Sequence, residues 1–234
     1  MPGQGYHYGQ AKLIADREGR KFTKEMRIGV LLVDALNSAS GSRRNSHFTG
    51  GAGCLFPKYS ELRQTSNIQS WDSGYRKSFL VDPKINMRLF EATNIHITEG
   101  DYKDGIRIHL LGDSVYDHLI QQKIFDVSRQ NEDVIVERLT GEKMDGATFR
   151  KEIYEAYPML DQYLLNLAGV TVEEIEETKR LLFSTLNDEM ATFVTKYLNF
   201  NSEYVWRDTH FFKKEDIDRL IDDTLYKVHT YLSR

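Results

Sequence analysis

Apolar positions in this chain recur with a period that changes along its length. Between 22 and 36, Ile28, Leu31, Leu32, Ala35 and Leu36 fall at the spacing of one helix face, and Thr23 is placed to cap it. The run 28–33 also reads as a short buried strand. The spacing favours the helix, although Gly29 weakens it by about 1 kcal/mol. Residues 79–140 read as β. Segments 94–99 and 106–111 alternate around the turn-forming stretch 100–105. Pairing Glu99 with Ile106 sets Ile97 opposite Ile108 and Ile95 opposite Leu110 on a buried face, with His96 opposite His109 on the other. A second hairpin is predicted over 124–139, after a short helix at 114–122. Beyond it the helical period returns. Residues 148–167 are periodic but interrupted by Pro158. Thr171 and Glu174 form a capping box for a helix reaching 198, and Ile217, Ile221, Leu225, Val228 and Leu232 line one stripe of a final helix from about 215.

Two stretches show no period. Residues 1–21 are polar and glycine-rich at their start, and read as an N-terminal arm. Residues 37–77 read as a long loop that nevertheless carries Phe48, Phe56, Tyr59, Trp71 and Tyr75. The predicted fold class is therefore α+β: an arm at 1–21, a mixed domain at 22–140 with the loop 37–77 and hairpins 94–111 and 124–139, and a helical part at 148–234 packed on it as one globular unit.

Composition narrows the classes. A chain of 234 residues, 40% of them hydrophobic, can bury a core without staples. The single cysteine, Cys54, leaves no disulfide within the chain and no zinc site built from several cysteines. No apolar run is long enough to cross a bilayer, and Met1–Gln10 has no signal-peptide core. These features predict a soluble protein of a reducing compartment, cytoplasmic or within an assembled particle, not secreted and without a membrane partner. The net charge of −4 is unevenly spread: residues 1–80 carry 12 Lys and Arg against 6 Asp and Glu, and residues 81–234 carry 19 against 29. Such a split favours head-to-tail attraction between copies.

Several constellations bear on chemistry. His96 and His109, across the predicted hairpin, are candidate metal ligands, with Asp101, Glu99 or His118 as a third. The more general expectation is that no cofactor is held. Gly112-Asp113-Ser114 after an apolar segment, with Asp208-Thr209-His210 near the end, resembles the outline of SGNH-type hydrolases, which implies a nucleophilic serine and a late Asp/His pair. The resemblance departs from that family in placing the serine block away from the first strand and in spacing Asp and His by one residue. Asp34-Ala-Leu-Asn37, taken with Asp113, is similar to the acidic motifs of NYN/PIN-type nucleases. That implies strand-end carboxylates (Asp34 and Asp113, with Asn37) holding a divalent metal for phosphodiester hydrolysis. Arg43, Arg44 and His47 are placed for phosphate contact and Trp71 or Tyr75 for base stacking, so nucleic acid is a candidate partner of the basic N-terminal third.

The arm, the aromatic loop and the charge split together favour a non-enzymatic assembly or binding protein working in a homo-oligomer or larger complex, such as a viral structural or connector component. Its partner surface is then formed by Arg43, Arg44, Phe48, Phe56, Tyr59, Trp71 and Tyr75. The alternative is the metal-dependent phosphodiesterase or nuclease using Asp34 and Asp113.

Overall fold

In a computed structural model of the chain, the described residues are 3–40, 42–73, 85–98, 100–126, 134–201 and 203–232. Helices dominate, with two small antiparallel sheets, so the fold is broadly α+β. The helices are α1 (Gln4–Arg17), α2 (Lys24–Ala39), α3 (Arg43–Ser46), α4 (Met87–Thr93), α5 (Gly100–Lys123), α6 (Gly146–Leu167), α7 (Val172–Thr185), α8 (Asp188–Tyr197) and α9 (Lys214–Leu232). The strands are β1 (Gly53–Cys54) and β2 (Ser70–Trp71), which pair, and β3 (Ile124–Asp126), β4 (Val134–Glu137) and β5 (Lys143–Asp145), in that order in one sheet.

The centre of the molecule is α2 against α5. The helical reading of 22–36 holds, but from Ile28 to Leu36 apolar residues cover most of α2's circumference, Asp34 apart: Ile28, Val30, Leu31, Leu32, Val33, Ala35 and Leu36 are all fully buried. A helix of that kind belongs inside. Gly29 costs propensity and gains proximity. A β-carbon there would fall 2.1 Å from the Tyr102 carbonyl oxygen, and one at Gly105 would fall 2.4 Å from that of Met26. The two glycines let the backbones of α2 and α5 touch.

Helix α5 overturns the first predicted hairpin. Residues 106–111 do alternate, but Ile106, Ile108, Leu110 and Leu111 are buried on several sides of a long helix, with Arg107 on its wetter face. Within six residues a helix enclosed on most sides and a strand cannot be told apart by period. Ile95, assigned to the buried face, is exposed. His96 points its Nε2 at the Phe56 carbonyl oxygen, 2.8 Å away, far in role from His109. The second hairpin does form, with Ile124 opposite Glu137 and Asp126 opposite Ile135, and it gains β5 as a third strand.

The predicted arm is also revised. Within 1–21, α1 is buried along Gln4–Ala11, its polar Gln4, His7 and Gln10 included. No side chain of its own caps this helix. Asp161 of α6 does so instead, accepting from the backbone N–H groups of Gly3, Gly5 and Tyr6. The polar sequence is inward because its partners lie on other helices.

The loop 37–77 is largely folded. Helix α3, the β1–β2 pair and a 3₁₀ turn at Tyr59–Gln64 punctuate it, and Phe48 and Phe56 stack in the core beside Phe90. Helix α6 runs through Pro158 without ending. Thr171 caps α7, accepting from the Glu174 N–H at 3.2 Å, but that helix stops at Thr185, and Asn187 caps α8 in turn. Helix α9 buries Ile217, Ile221, Leu225 and Val228 as its stripe predicts. No helix among the described residues is long and apolar enough to cross a membrane.

Candidate metal centre

Four chain segments deliver three imidazoles and two carboxylates to one buried cluster, in which His7, Asp34 and His109 form one group of possible metal ligands and His47, His109 and Asp113 another. His7 comes from α1, Asp34 from α2, His47 from the C-terminal cap of α3, and His109 and Asp113 from successive turns of α5. His47, His109, His7 and Asp113 are fully buried, and Asp34 nearly so. The donor atoms lie shoulder to shoulder. His47 Nε2 is 3.2 Å from Asp34 Oδ1, 3.3 Å from Asp113 Oδ2 and 3.3 Å from His109 Nε2. His7 Nε2 is 3.3 Å from Asp113 Oδ1, and His109 Nε2 is 3.4 Å from Asp113 Oδ2. Atoms bound to a common ion at about 2.0–2.2 Å are separated from one another by about 3–3.5 Å.

The orientation of two imidazoles is fixed from outside the cluster. His109 Nδ1 lies 2.7 Å from the Val30 carbonyl oxygen, and His47 Nδ1 lies 2.9 Å from that of Arg43. A carbonyl only accepts, so His109 Nδ1 donates to Val30, while His47 Nδ1 also lies 2.8 Å from the Ser46 hydroxyl; both rings thereby turn their Nε2 edge inward. Gln4 Nε2 likewise donates to Asp34 Oδ2 at 2.8 Å, leaving Oδ1 facing the cluster. Neither ring nitrogen of His7, nor Oδ1 of Asp34 or Asp113, has a hydrogen-bond partner among the described residues. The cluster therefore brings together several buried polar atoms without hydrogen-bond partners, a state that a bound cation would relieve.

Charge tells the same story. Burial pushes His7 down, with His109 adding to the effect, to about 4, so this ring is neutral at pH 7. Burial raises Asp34, but Arg43, His47 and His109 outweigh it and hold the carboxyl far below its usual range. Asp113 is likewise ionised, as His7, His109 and His47 overcome its burial. For His47, burial and Arg43 push down, while the two carboxylates push up and prevail. Two buried anions thus face Arg43, whose guanidinium lies 3.6 Å from Asp34 Oδ1 and 3.5 Å from Asp113 Oδ2. Its side chain, 35% exposed, is the member of the cluster that reaches solvent.

The backbone after His47 is strained. Phe48 sits in the left-handed region at φ 54, a conformation costing a non-glycine residue about 1–3 kcal/mol. Its ring is buried against Phe56 and Phe90.

Of the residues singled out from sequence, the fold unites Asp34, Arg43, His47, His109 and Asp113, on helices rather than at strand ends. Asn37 lies on α2, and its side chain is outside the described residues. His96 belongs elsewhere, so the His96/His109 pair is not a site. The serine-hydrolase outline is not assembled either: Ser114 is mid-helix and accepts from Lys227 Nζ at 2.8 Å, while His210 lies 3.6 Å from Glu137. Of the expected partner surface, Phe48 and Phe56 are core residues and Arg44 pairs with Asp72 at 2.9 Å. Tyr59 packs on Tyr102 and Trp71 on Phe48, both partly buried. Tyr75 lies outside the described residues. Sequence reasoning missed His7 altogether. The spacing of His109 and Asp113 at i, i+4 was its best available signal, legible only once 100–123 is read as helix.

No protein-family model, no curated protein and no solved structure matches the chain.

Proposed function

We propose that this protein is a metal-dependent hydrolase of phosphoesters, with His47, His109 and Asp113 holding a divalent ion, His7 and Asp34 beside them, and Arg43 facing the substrate's phosphate. The observation carrying this reading is a buried three-histidine, two-carboxylate cluster that contains two groups of three possible ligand atoms and leaves His7, Asp34 Oδ1 and Asp113 Oδ1 without hydrogen-bond partners among the described residues. Mixed nitrogen and oxygen donors suit Mn(II), Fe(II), Co(II) or Zn(II) better than Ca(II) or Cu(I). Two carboxylates neutralise the ion's charge. A bound ion supplies Lewis acidity and lowers the pKa of a coordinated water to about 7. Arg43 is the polar group by which an anion approaching from solvent meets the cluster, and its planar fork suits phosphate oxygens.

The test is hydrolysis of generic phosphomonoesters and phosphodiesters by protein stripped with chelator and then reloaded with each of these metals. The reading requires activity that follows reloading and is lost in His109→Ala and Asp113→Asn. A fully loaded protein inert on both ester classes would overturn it.

One observation favours a second reading, self-association: the basic residues 1–80 and the acidic remainder. The arm and the loop aromatics, which also suggested assembly, lie mostly inside the fold. Attraction of this kind weakens as the Debye length falls from about 10 Å at 0.1 M salt to about 3 Å at 1 M. Sedimentation across that range tests it, and a strict monomer at low salt would refute it.

A further inference from the structure

A file of aromatic rings leads from the buried cluster to the surface. His109 and His7 stack with centroids 3.6 Å apart and planes 14° from parallel. His7 meets Tyr6 edge-on at 5.0 Å, and Tyr6 meets Tyr116 at 6.3 Å. Tyr116 meets Tyr157 at 6.2 Å, and Tyr157 meets Tyr154 at 5.7 Å. The file crosses three helices, α1, α5 and α6. Tyr6 is fully buried, Tyr116 is 2% exposed, and Tyr154 at the far end is 62% exposed. The first pair is stacked and the later ones are edge-on or tilted, geometries aromatic pairs prefer.

From this we infer that Tyr6, Tyr116, Tyr157 and Tyr154 form a conduit carrying an oxidising equivalent from the metal centre to solvent, so that a peroxide arriving at a ferrous ion is spent at the surface rather than on the ligands. The inference rests on metal occupancy of the centre and not on the hydrolytic reading. Imidazole-rich donor sets accept iron, and a buried ferrous centre with histidine ligands has oxidisable side chains packed against it. Tyrosine is the residue in this file that gives up one electron and one proton and later recovers both.

The step balances. Hydrogen peroxide loses its O–O bond and becomes two waters, taking up two electrons and two protons. One electron comes from the ferrous ion, which becomes ferric. The other comes from Tyr154 by way of the inner tyrosines, each of which regains what it lends. One proton is the Tyr154 hydroxyl proton, released to water at the exposed end, and the other is drawn from solvent. The product is a neutral tyrosyl radical at Tyr154, which a reductant such as ascorbate returns to the phenol by supplying a hydrogen atom.

The experiment uses the full chain loaded anaerobically with Fe(II), its iron content measured first, then given stoichiometric hydrogen peroxide with a radical trap. Freeze-quenched samples go to electron paramagnetic resonance and trapped samples to peptide mapping. The parent should give a tyrosyl signal and a trap adduct at Tyr154. Tyr116→Phe, which removes only an oxygen from a buried ring, should lose that adduct and gain oxygen on His7 or His109. Tyr157→Phe should do the same. Tyr226, 73% exposed but off the file, should stay unlabelled in all of them. Equal labelling of Tyr226 and Tyr154, or an unchanged Tyr154 adduct in both variants, would overturn the conduit while leaving the metal centre standing. A chain that takes up no iron overturns the conduit at the first measurement. The hydrolytic reading then stands or falls on the other metals.

Discussion

Asp113 is the residue through which the cluster is most sharply tested. It touches all three histidines and Arg43, at 3.3 to 3.5 Å, and has no solvent exposure. Asp113→Asn keeps its volume but removes a charge and turns an amide N–H toward ring nitrogens that need a cation. Without metal the change is moderate: it leaves a buried group poorly partnered, at about 1–3 kcal/mol, while relieving the proximity of two buried carboxylates. With metal it should be decisive. An ion that binds only the folded chain stabilises it by about 2.7 kcal/mol at a hundred times Kd and about 4.1 kcal/mol at a thousand times Kd. For a domain of this size each kcal/mol is worth about 2–4 °C, so saturating metal should raise the parent's Tm by roughly 5–16 °C. The assay is differential scanning calorimetry of chelator-treated protein with and without each divalent metal. Because the shift is taken within each protein, the metal-free cost of the substitution cancels. A large shift in the parent that collapses in Asp113→Asn is expected. Equal shifts in both would place the ion elsewhere, and the reasoning would fail.

Other outcomes follow from the packing. Gly105→Ala drives a β-carbon to within 2.4 Å of the Met26 carbonyl oxygen, so despite a propensity gain of about 1 kcal/mol it should lower stability by a net 1–3 kcal/mol or so, read by urea denaturation. Thr171→Ala removes the acceptor for the Glu174 N–H and should cost about 1 kcal/mol by the same measurement. Burial raises the Glu91 carboxyl, but Arg107 at 2.7 Å and Lys103 at 3.1 Å outweigh it and hold it below the usual range. A folded-state pKa below the unfolded one adds stability above about pH 4.3 that disappears as the pH falls through the folded value. The parent should therefore exceed Glu91→Gln in stability at pH 7, the two converging as the pH falls through the folded-state value of Glu91; parallel curves would show that the ion pair contributes nothing.

What the sequence disclosed was local and helical. The spacing in α2, the Thr171 cap and the α9 stripe are consequences of residues within two turns of one another, and all were legible. The antiparallel pairing of 124–126 with 135–137 was legible too, because two apolar segments flank a polar stretch of sequence. The misreading at 94–111 arose where a helix is enclosed on most sides, since burial on every face erases the amphipathic signature that separates a helix from a strand. The arm was misread for the opposite reason: Gln4, His7 and Gln10 look solvated, but Gln4 donates to Asp34, Gln10 donates to Tyr6 and Thr224, and His7 turns into the buried cluster beside Asp113. Asp34 and Asp113 were picked out as a pair and do meet, on helices that the motif resemblance did not foresee. His7 and His47 join them only through tertiary packing, which no spacing in the chain announces.

The proposal stands or falls on whether this buried cluster binds a metal ion through His47, His109 and Asp113. Elemental analysis of the purified chain, after dialysis against Mn(II), Fe(II), Co(II) or Zn(II) and removal of loose metal, tests it most directly. The account predicts one ion per chain for at least one of these metals in the parent, and a loss of that ion in His109→Ala and Asp113→Asn that spares folding as judged by circular dichroism. A folded parent that retains none of the four, or variants that retain as much as the parent, would contradict it.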